Sequence, residues 1–390
     1  MGSTTPPPPS SFPDKTSPSL VLAHPTDHER RLTWSLTHAQ WGPALTHDGY
    51  VRREAYMTTV PLAKDGGITH WILTDGSLPP DARPIYSSCE TLRKRAVRTT
   101  TGTAGDLVDG IAHGVGSVFT DPRFRGRGYA GRMMREVGER LRGWQAGGEK
   151  EVLCSVLYSD IGKAFYARSG WAAFASRHVA FRPAAGWVAG RNGCEDGGAR
   201  TIGYHELAEL CSVDEKLLRR EMAERGRQGR TCVALVPDLD QLLWHLMRED
   251  YMTKHIFGRT PPVKGAVFGE PGRRVWAVWT RGYYGGLESR EGNTLHVLRV
   301  VMEDEGQPDE YLARGFREIV RIAQAEATEW LSQDLQLWNP SPKLATAIKE
   351  SGLDCEFVDR DTESIASLML YGESETTDVD WVANEKYGWC

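Results

Sequence analysis

The 390-residue chain contains no apolar run approaching the ~18 residues that a membrane-spanning helix requires. Its seven cysteines are scattered, odd in number and without a Cys-x-x-Cys pair. That usage argues against a zinc site and fits a reducing compartment, so a cytoplasmic protein without a metal is expected. An excess of one charge is missing too. With 47 Lys and Arg against 52 Asp and Glu, the net charge of −5 gives no electrostatic footing for nucleic acid or an anionic membrane. No apolar core follows the amino terminus; Pro6 to Pro9 and many Ser and Thr make residues 1–18 read as a disordered lead and not as a signal peptide. No Gly-Lys-Ser/Thr closes a glycine loop, which excludes a P-loop.

What the chain does have is one dense segment, Val118 to Met134. An apolar strand, Gly116 to Thr120, runs into a turn carrying Arg123, Arg125 and Arg127 with Gly126 and Gly128, and then into a helix predicted over Tyr129 to Trp144. Met133, Met134, Val137 and Leu141 fall on one face of that helix. The glycines let backbone N–H groups come close to a ligand. The helix start offers unpaired N–H groups and the positive end of its dipole. Together they make a pyrophosphate cradle. A dinucleotide fingerprint also matches formally, as Gly126-x-Gly128-x-x-Gly131, but Glu151 opens the next strand instead of closing it.

The chain divides by composition. The lead 1–18 is followed by a first domain, 19–183, and by a glycine-rich stretch, 184–200, that reads as a linker. A second domain, 201–370, repeats the order strand, long helix, strand, short helix, strand that occurs at 116–182, now at 294–370. Its joint, Met302 to Asp309, is acidic and lacks the cradle's arginines and glycines. Within the first domain a helix is predicted over Ile161 to Ser169, and within the second a helix over Leu239 to Tyr251. The tail, 371–390, places Trp381, Tyr387 and Trp389 near the terminal Cys390. Aromatics are costly to leave in water, so the tail is expected to dock, on its own domain, on a partner or near the cleft between the halves.

Arg125-x-x-Gly128-x-Ala130 resembles the acetyl-CoA loop of the GNAT superfamily of N-acetyltransferases. The resemblance implies an α/β (α+β) fold: an N-terminal GNAT domain with a mixed central sheet flanked by helices, then a second, degenerate GNAT-like domain. Acetyl transfer to an amine needs CoA held, the amine neutral, an oxyanion stabilised and a thiolate protonated. Val118, Phe119, Thr120, Arg125, Gly126, Arg127, Gly128, Tyr129 and Ala130 would hold acetyl-CoA, with strand-end N–H groups of Val118–Thr120 as oxyanion donors. Members of this superfamily commonly place a tyrosine four residues before a Gly-aromatic pair. Tyr166 stands four before Gly170-Trp171 and is the expected general acid. Ser159 or Asp160 stands where an Asn is frequent and would contact the cofactor. For the base there are three candidates: His113, Glu90 and the terminal carboxylate of Cys390. Trp276, Trp279 and His296, on strands of the second half, are expected to line a substrate pocket. Cys89, Cys154 and Cys390 have no base nearby in sequence, and direct transfer needs no acyl carrier.

A narrower resemblance lies in Trp41-Gly…Leu45…Tyr50-x-x-Arg53-Glu54, Trp71 to Asp75, Ser87-Ser-Cys-Glu-Thr91, His113 to Phe119, Phe124 to Ala130, Tyr158-Ser-Asp-Ile-Gly and Asn384 to Cys390. These segments are similar to the fungal L-lysine N6-acetyltransferases of lysine catabolism. That implies acetyl-CoA and a small-molecule amine, L-lysine, as substrates, with no metal, nucleic acid or membrane partner. Two other readings remain open at this point. One is acetylation of another amine, such as a polyamine or a natural-product intermediate; the other is a CoA-binding regulator without turnover.

Overall fold

The structure, a computed structural model, describes residues 12–100, 105–148, 150–184, 198–372 and 376–389. Strand β1 (Leu20–Ala23) leads to helix α1 (Asp27–Trp41), which starts at a capping box: the Thr26 hydroxyl accepts from Glu29 N–H, and Glu29 accepts from Thr26 N–H. Helix α2 (His47–Met57), the hairpin of β2 (Ile68–Asp75) and β3 (Ile85–Thr99), and β4 (Leu107–Thr120) follow. Next come α3 (Tyr129–Leu141), β5 (Val152–Ser159), α4 (Ala164–Ala167), β6 (Ala172–Ala173) and β7 (Arg177–Phe181). The second half comprises β8 (Arg200–Ile202), α5 (Tyr204–Arg227), β9 (Cys232–Leu235), α6 (Leu239–Phe257), β10 (Gly265–Phe268), β11 (Val275–Tyr283), β12 (Asn293–Met302), α7 (Asp309–Glu329), β13 (Asp334–Trp338), α8 (Pro342–Glu350), β14 (Cys355–Asp359) and β15 (Ile365–Leu370). The tail adds β16 (Asp380–Trp381).

Two mixed sheets result. One runs β1-β2-β3-β4-β5-β15-β6, with β9 joined to β3 and β16 to β9; the other runs β14-β7-β13-β12-β11-β10-β8. Each half lends a strand to the other: β15 pairs with β5, and β7 with β13. The sheets therefore do not follow the division read at 184–200, of which 185–197 lie outside the described residues. The lead also differs from expectation. Phe12 to Pro18 lie against α3, where the Tyr129 hydroxyl donates to the Pro13 carbonyl (2.5 Å) and Arg132 to those of Lys15 and Ser17. The helix predicted over 161–169 shrinks to α4, because the Ser159 hydroxyl ties up Ile161 N–H and the Gly162 carbonyl, and Gly162 takes φ +76°. Helix α6 runs six residues past the predicted Tyr251 and ends at Gly258, whose φ of +71° forms the left-handed C-cap.

A parallel joint near the middle of each sheet, β4 with β5 and β12 with β13, positions the rest. β4 and β5 pair from Ile111↔Val152 to Val115↔Leu157 and then part, although β4 continues to Thr120. β12 and β13 likewise pair only to Val297↔Leu337, although β12 continues to Met302. In the second sheet the tail occupies this opening. Val300 N–H donates to Glu385, Asn339 donates to the Asn384 carbonyl, and the fully buried Tyr387 donates to the Leu235 carbonyl at 2.7 Å. The first sheet's opening has no such plug among the described residues.

Helix α6 is clamped by a buried ionic cluster. Glu249 accepts from Lys264 at 2.8 Å and from Arg281 at 2.7 Å, all three lying out of solvent. Glu249→Ala leaves two cations short of their shared acceptor. Urea or thermal denaturation is expected to show a loss of about 3–5 kcal/mol, whereas a loss under ~1 kcal/mol would mean that the cluster does not hold the helix.

Candidate active site

The opening between β4 and β5 is shaped by a bulge. Opposite Ser88 to Glu90 the register slips, and Ser117 takes φ +52°, an uncommon value that an inserted residue can adopt. The Ser117 hydroxyl donates to Glu90 Oε1 at 2.8 Å. Beyond Val115 β4 has parted from β5, so those N–H groups of the Val118–Thr120 run that point away from β3 have no strand partner. Asp121 then caps the Pro122–Phe124 turn, and the chain enters α3 through Gly128, at φ +82°, with no side-chain cap on the helix. The first-turn N–H groups of α3 are thus left open. Met133, Met134, Val137 and Leu141, fully buried, fix α3 on the sheet.

A cavity of about 640 Å³ connects these elements. At its loop end it is lined by Val118, Phe119, Thr120, Arg125, Gly126, Gly128, Tyr129 and Ala130, with Asp160 and Tyr166 on the facing wall. An acyl-CoA fits that donor set: open helix amides and a guanidinium suit a pyrophosphate, and unpaired strand amides suit an amide-bearing arm. The other end holds Glu90, His70, Tyr50, Arg53, Glu54, Trp244, Arg248 and Trp389.

Glu90 is the carboxylate nearest the bulge, and burial, followed by the like charge of Glu54, pushes its pKa up to about 7. His70 stands opposite it across the strands, Nε2 3.6 Å from Glu90 Oε2. Burial lowers the imidazole to about 4, so the ring is neutral near pH 7 and the contact is not an ion pair. Burial also raises the Tyr166 phenol well above its usual value, with smaller contributions from Cys89 and Asp160. Tyr166 therefore keeps its proton at neutral pH. Arg53 is committed to Glu54 (2.5 Å) and the Trp41 carbonyl (3.2 Å), and stacks on Tyr50.

Several expected site residues lie elsewhere. His113 is fully buried; its Nε2 meets the Trp144 carbonyl at 3.0 Å, and burial lowers it to about 4. Strand alternation turns it toward the end of α3, away from the cavity. Trp276 and Trp279 are completely buried in the apolar cores, and His296 packs edge-on against Trp338; none of the three lines the cavity. Ser159 is spent on its own turn, and Arg127 lies over the Phe12 ring, 4.9 Å from its centre. Cys390 lies outside the described residues, but its neighbour Trp389 is part of the cavity wall. Cys89 and Cys154 are buried, and burial keeps both thiols protonated. Arg248 and Trp244 were not anticipated. The available signal was their i,i+4 spacing on one helix, which puts an arginine on the same face as a buried tryptophan.

Fold, cradle and cavity define an acyltransferase of the GNAT class. The family model described as LYC1 GNAT-like C-terminal domain matches residues 188–390, and the chain belongs to that family. It is 23% identical over 293 residues to a Yarrowia lipolytica protein named lysine acetyltransferase, covering 65% of this chain and 70% of the relative. It is 25% identical over 198 residues to an uncharacterised Saccharomyces cerevisiae protein, covering 47% and 48%. Among solved structures, S. cerevisiae N-myristoyltransferase with bound myristoyl-CoA matches with a TM-score of 0.51 at 9% identity, covering 94% of this chain and 82% of that one. An Enterococcus faecalis V583 protein described as a probable N-acyltransferase matches at 0.50 and 11%, covering 90% and 72%. Both show the fold. Among the described residues, no helix is long and apolar enough to cross a membrane.

Proposed function

We propose that the chain transfers the acetyl group of acetyl-CoA to the side-chain amine, N6, of free L-lysine. The supporting observation is the single cavity that joins an open helix start and splayed strand edge to a buried carboxylate and a protonated phenol. Lysine is favoured over other amines by the named Yarrowia relative and by an acceptor end that carries both carboxylates and guanidinium groups.

In this reading Glu90, ionised, takes a proton from the acceptor's ammonium, directly or through one water. The neutral amine attacks the thioester carbonyl. N–H groups of Val118–Thr120 hold the oxygen as it gains charge. Tyr166 gives its proton to the departing thiolate. The first half carries the chemistry; α6 and the tail of the second half wall the acceptor end, which suits a small substrate.

The test is thiol release from acetyl-CoA across a panel of free amines. Lysine is expected to be turned over best. Efficient turnover confined to a different amine would move the substrate, and release with none would remove the activity. Tyr166→Phe is expected to lower kcat about 100-fold with acetyl-CoA affinity retained. An unchanged kcat would take the acid role from Tyr166.

A further inference from the structure

Four arginines packed into the second half and its interface show what this fold does with a desolvated guanidinium. Arg53 is paired with Glu54, Arg281 with Glu249 and Glu326, Arg299 with Asp214 and Glu385, and Arg274 with Glu209 and Glu303. Arg248 breaks this rule. It lies on α6 and lines the cavity, yet among the described residues it has no hydrogen bond and no ion pair. Its guanidinium lies over the face of Trp389, 5.7 Å from the ring centre. Burial, followed by repulsion from Arg53, works against its charge. An arginine does not lose its proton near neutrality. Although Glu54 and Glu90 act on Arg248, neither forms an ion pair with it, so its part-exposed guanidinium remains open to an anion entering the cavity.

Such an anion would lie away from the cradle. The groups acting most strongly on Arg248 are Arg53, Tyr284, Glu54 and Tyr50, and Glu90 feels Arg248 in return. Arg125 and the start of α3 are not among them. Arg248 therefore belongs to the acceptor end, with the carboxylate read as the base.

We propose that Arg248 binds the α-carboxylate of the acceptor, which makes the substrate an amino acid with a terminal side-chain amine and makes α6 of the second half the element that selects it. A planar guanidinium matches a carboxylate with two parallel hydrogen bonds. Trp389 supports the guanidinium through its ring face. The clamp of Lys264 and Arg281 on the neighbouring Glu249 fixes the helix turn from which Arg248 reaches the cavity.

The inference rests on the acetyl-transfer reading only in taking an amine as the acceptor, and the test separates the two. Binding of lysine, 6-aminohexanoate and 1,5-diaminopentane is measured calorimetrically with CoA present, for the wild type and for Arg248→Gln, beside thiol release with acetyl-CoA. The first two ligands carry the carboxylate; the third lacks it. Loss of a charge-paired partner costs a few kcal/mol, so the preference for lysine over diaminopentane is expected to fall by about 30-fold or more in Arg248→Gln. 6-Aminohexanoate should follow lysine. Arg248→Lys, which keeps the charge, should retain part of the preference, and carries the test if Arg248→Gln does not fold. The proposal is overturned if the three ligands lose affinity in equal proportion, if none changes, or if the wild type does not favour the carboxylates. Carboxylate-dependent binding without thiol release would uphold Arg248 and sink the acetyl-transfer reading. Turnover of lysine with an unaltered preference in Arg248→Gln would do the reverse.

Discussion

Glu90→Gln is expected to lower kcat by about 10²- to 10⁴-fold, the range over which a positioned general base acts. Acetyl-CoA affinity should be nearly unchanged, because Glu90 sits at the acceptor end and not at the cradle. The pH dependence makes the expectation specific. Burial and the neighbouring Glu54 raise Glu90 to about 7, so below that pH the protonated, inactive carboxyl predominates. Log kcat/KM of the wild type should therefore climb with unit slope up to about pH 7 and then level. The Gln variant should lack that limb. Ser117→Ala removes a hydrogen bond that lowers the Glu90 pKa, and its limb should shift to higher pH. A wild-type profile flat between pH 5 and 8, or a Gln variant that keeps the limb, would take the base role from Glu90.

Gly128→Val is expected to weaken acetyl-CoA binding by about 100-fold or more, reading a cost of ~3 kcal/mol as two decades. Gly128 holds φ +82°, where a β-branched residue is strained, and a Cβ there would come within 2.7 Å of the Lys15 side chain. The same atoms would stand where the open amides of α3 must approach phosphate. Gly126→Val provides the contrast. Its φ of +76° carries strain, but nothing lies within 4 Å of the new carbon, so a smaller loss of affinity is expected. Isothermal titration with CoA distinguishes the two. Equal, small effects would mean that the loop does not contact the cofactor.

What the sequence made legible, and what it hid, follows from how each feature is built. The cradle is local: a strand, two glycines with left-handed backbone and a helix start occupy consecutive residues. The apolar face of α3 was readable from its period. Glu90 could be proposed but not chosen, because it was separated from His113 only by which way each strand turns its side chains, and from the Cys390 carboxylate only by where the tail docks. The structure sends His113 toward Trp144 and leaves Glu90 on the cavity wall. Strand exchange was hidden because β7 and β15 are only five and six residues long, too short for their sequence to specify a partner strand. Only three-dimensional pairing assigns β15 to β5 and β7 to β13. Trp276 and Trp279 read as pocket residues because aromatic side chains serve cores and pockets alike; complete burial decides for the core. Arg248 was hidden for the opposite reason. An arginine on a helix normally faces water, and its isolation shows only once its neighbours are in place.

The measurement closest to the central claim is mass analysis of the product formed from acetyl-CoA and free L-lysine, with fragmentation to locate the added acetyl group. The account predicts one acetyl group, on N6, formed together with one equivalent of free CoA thiol. It further predicts that Glu90→Gln and Tyr166→Phe both slow that step while still binding acetyl-CoA. Acetylation at N2, or tight acetyl-CoA binding with no acetylated lysine at any enzyme concentration, would contradict it.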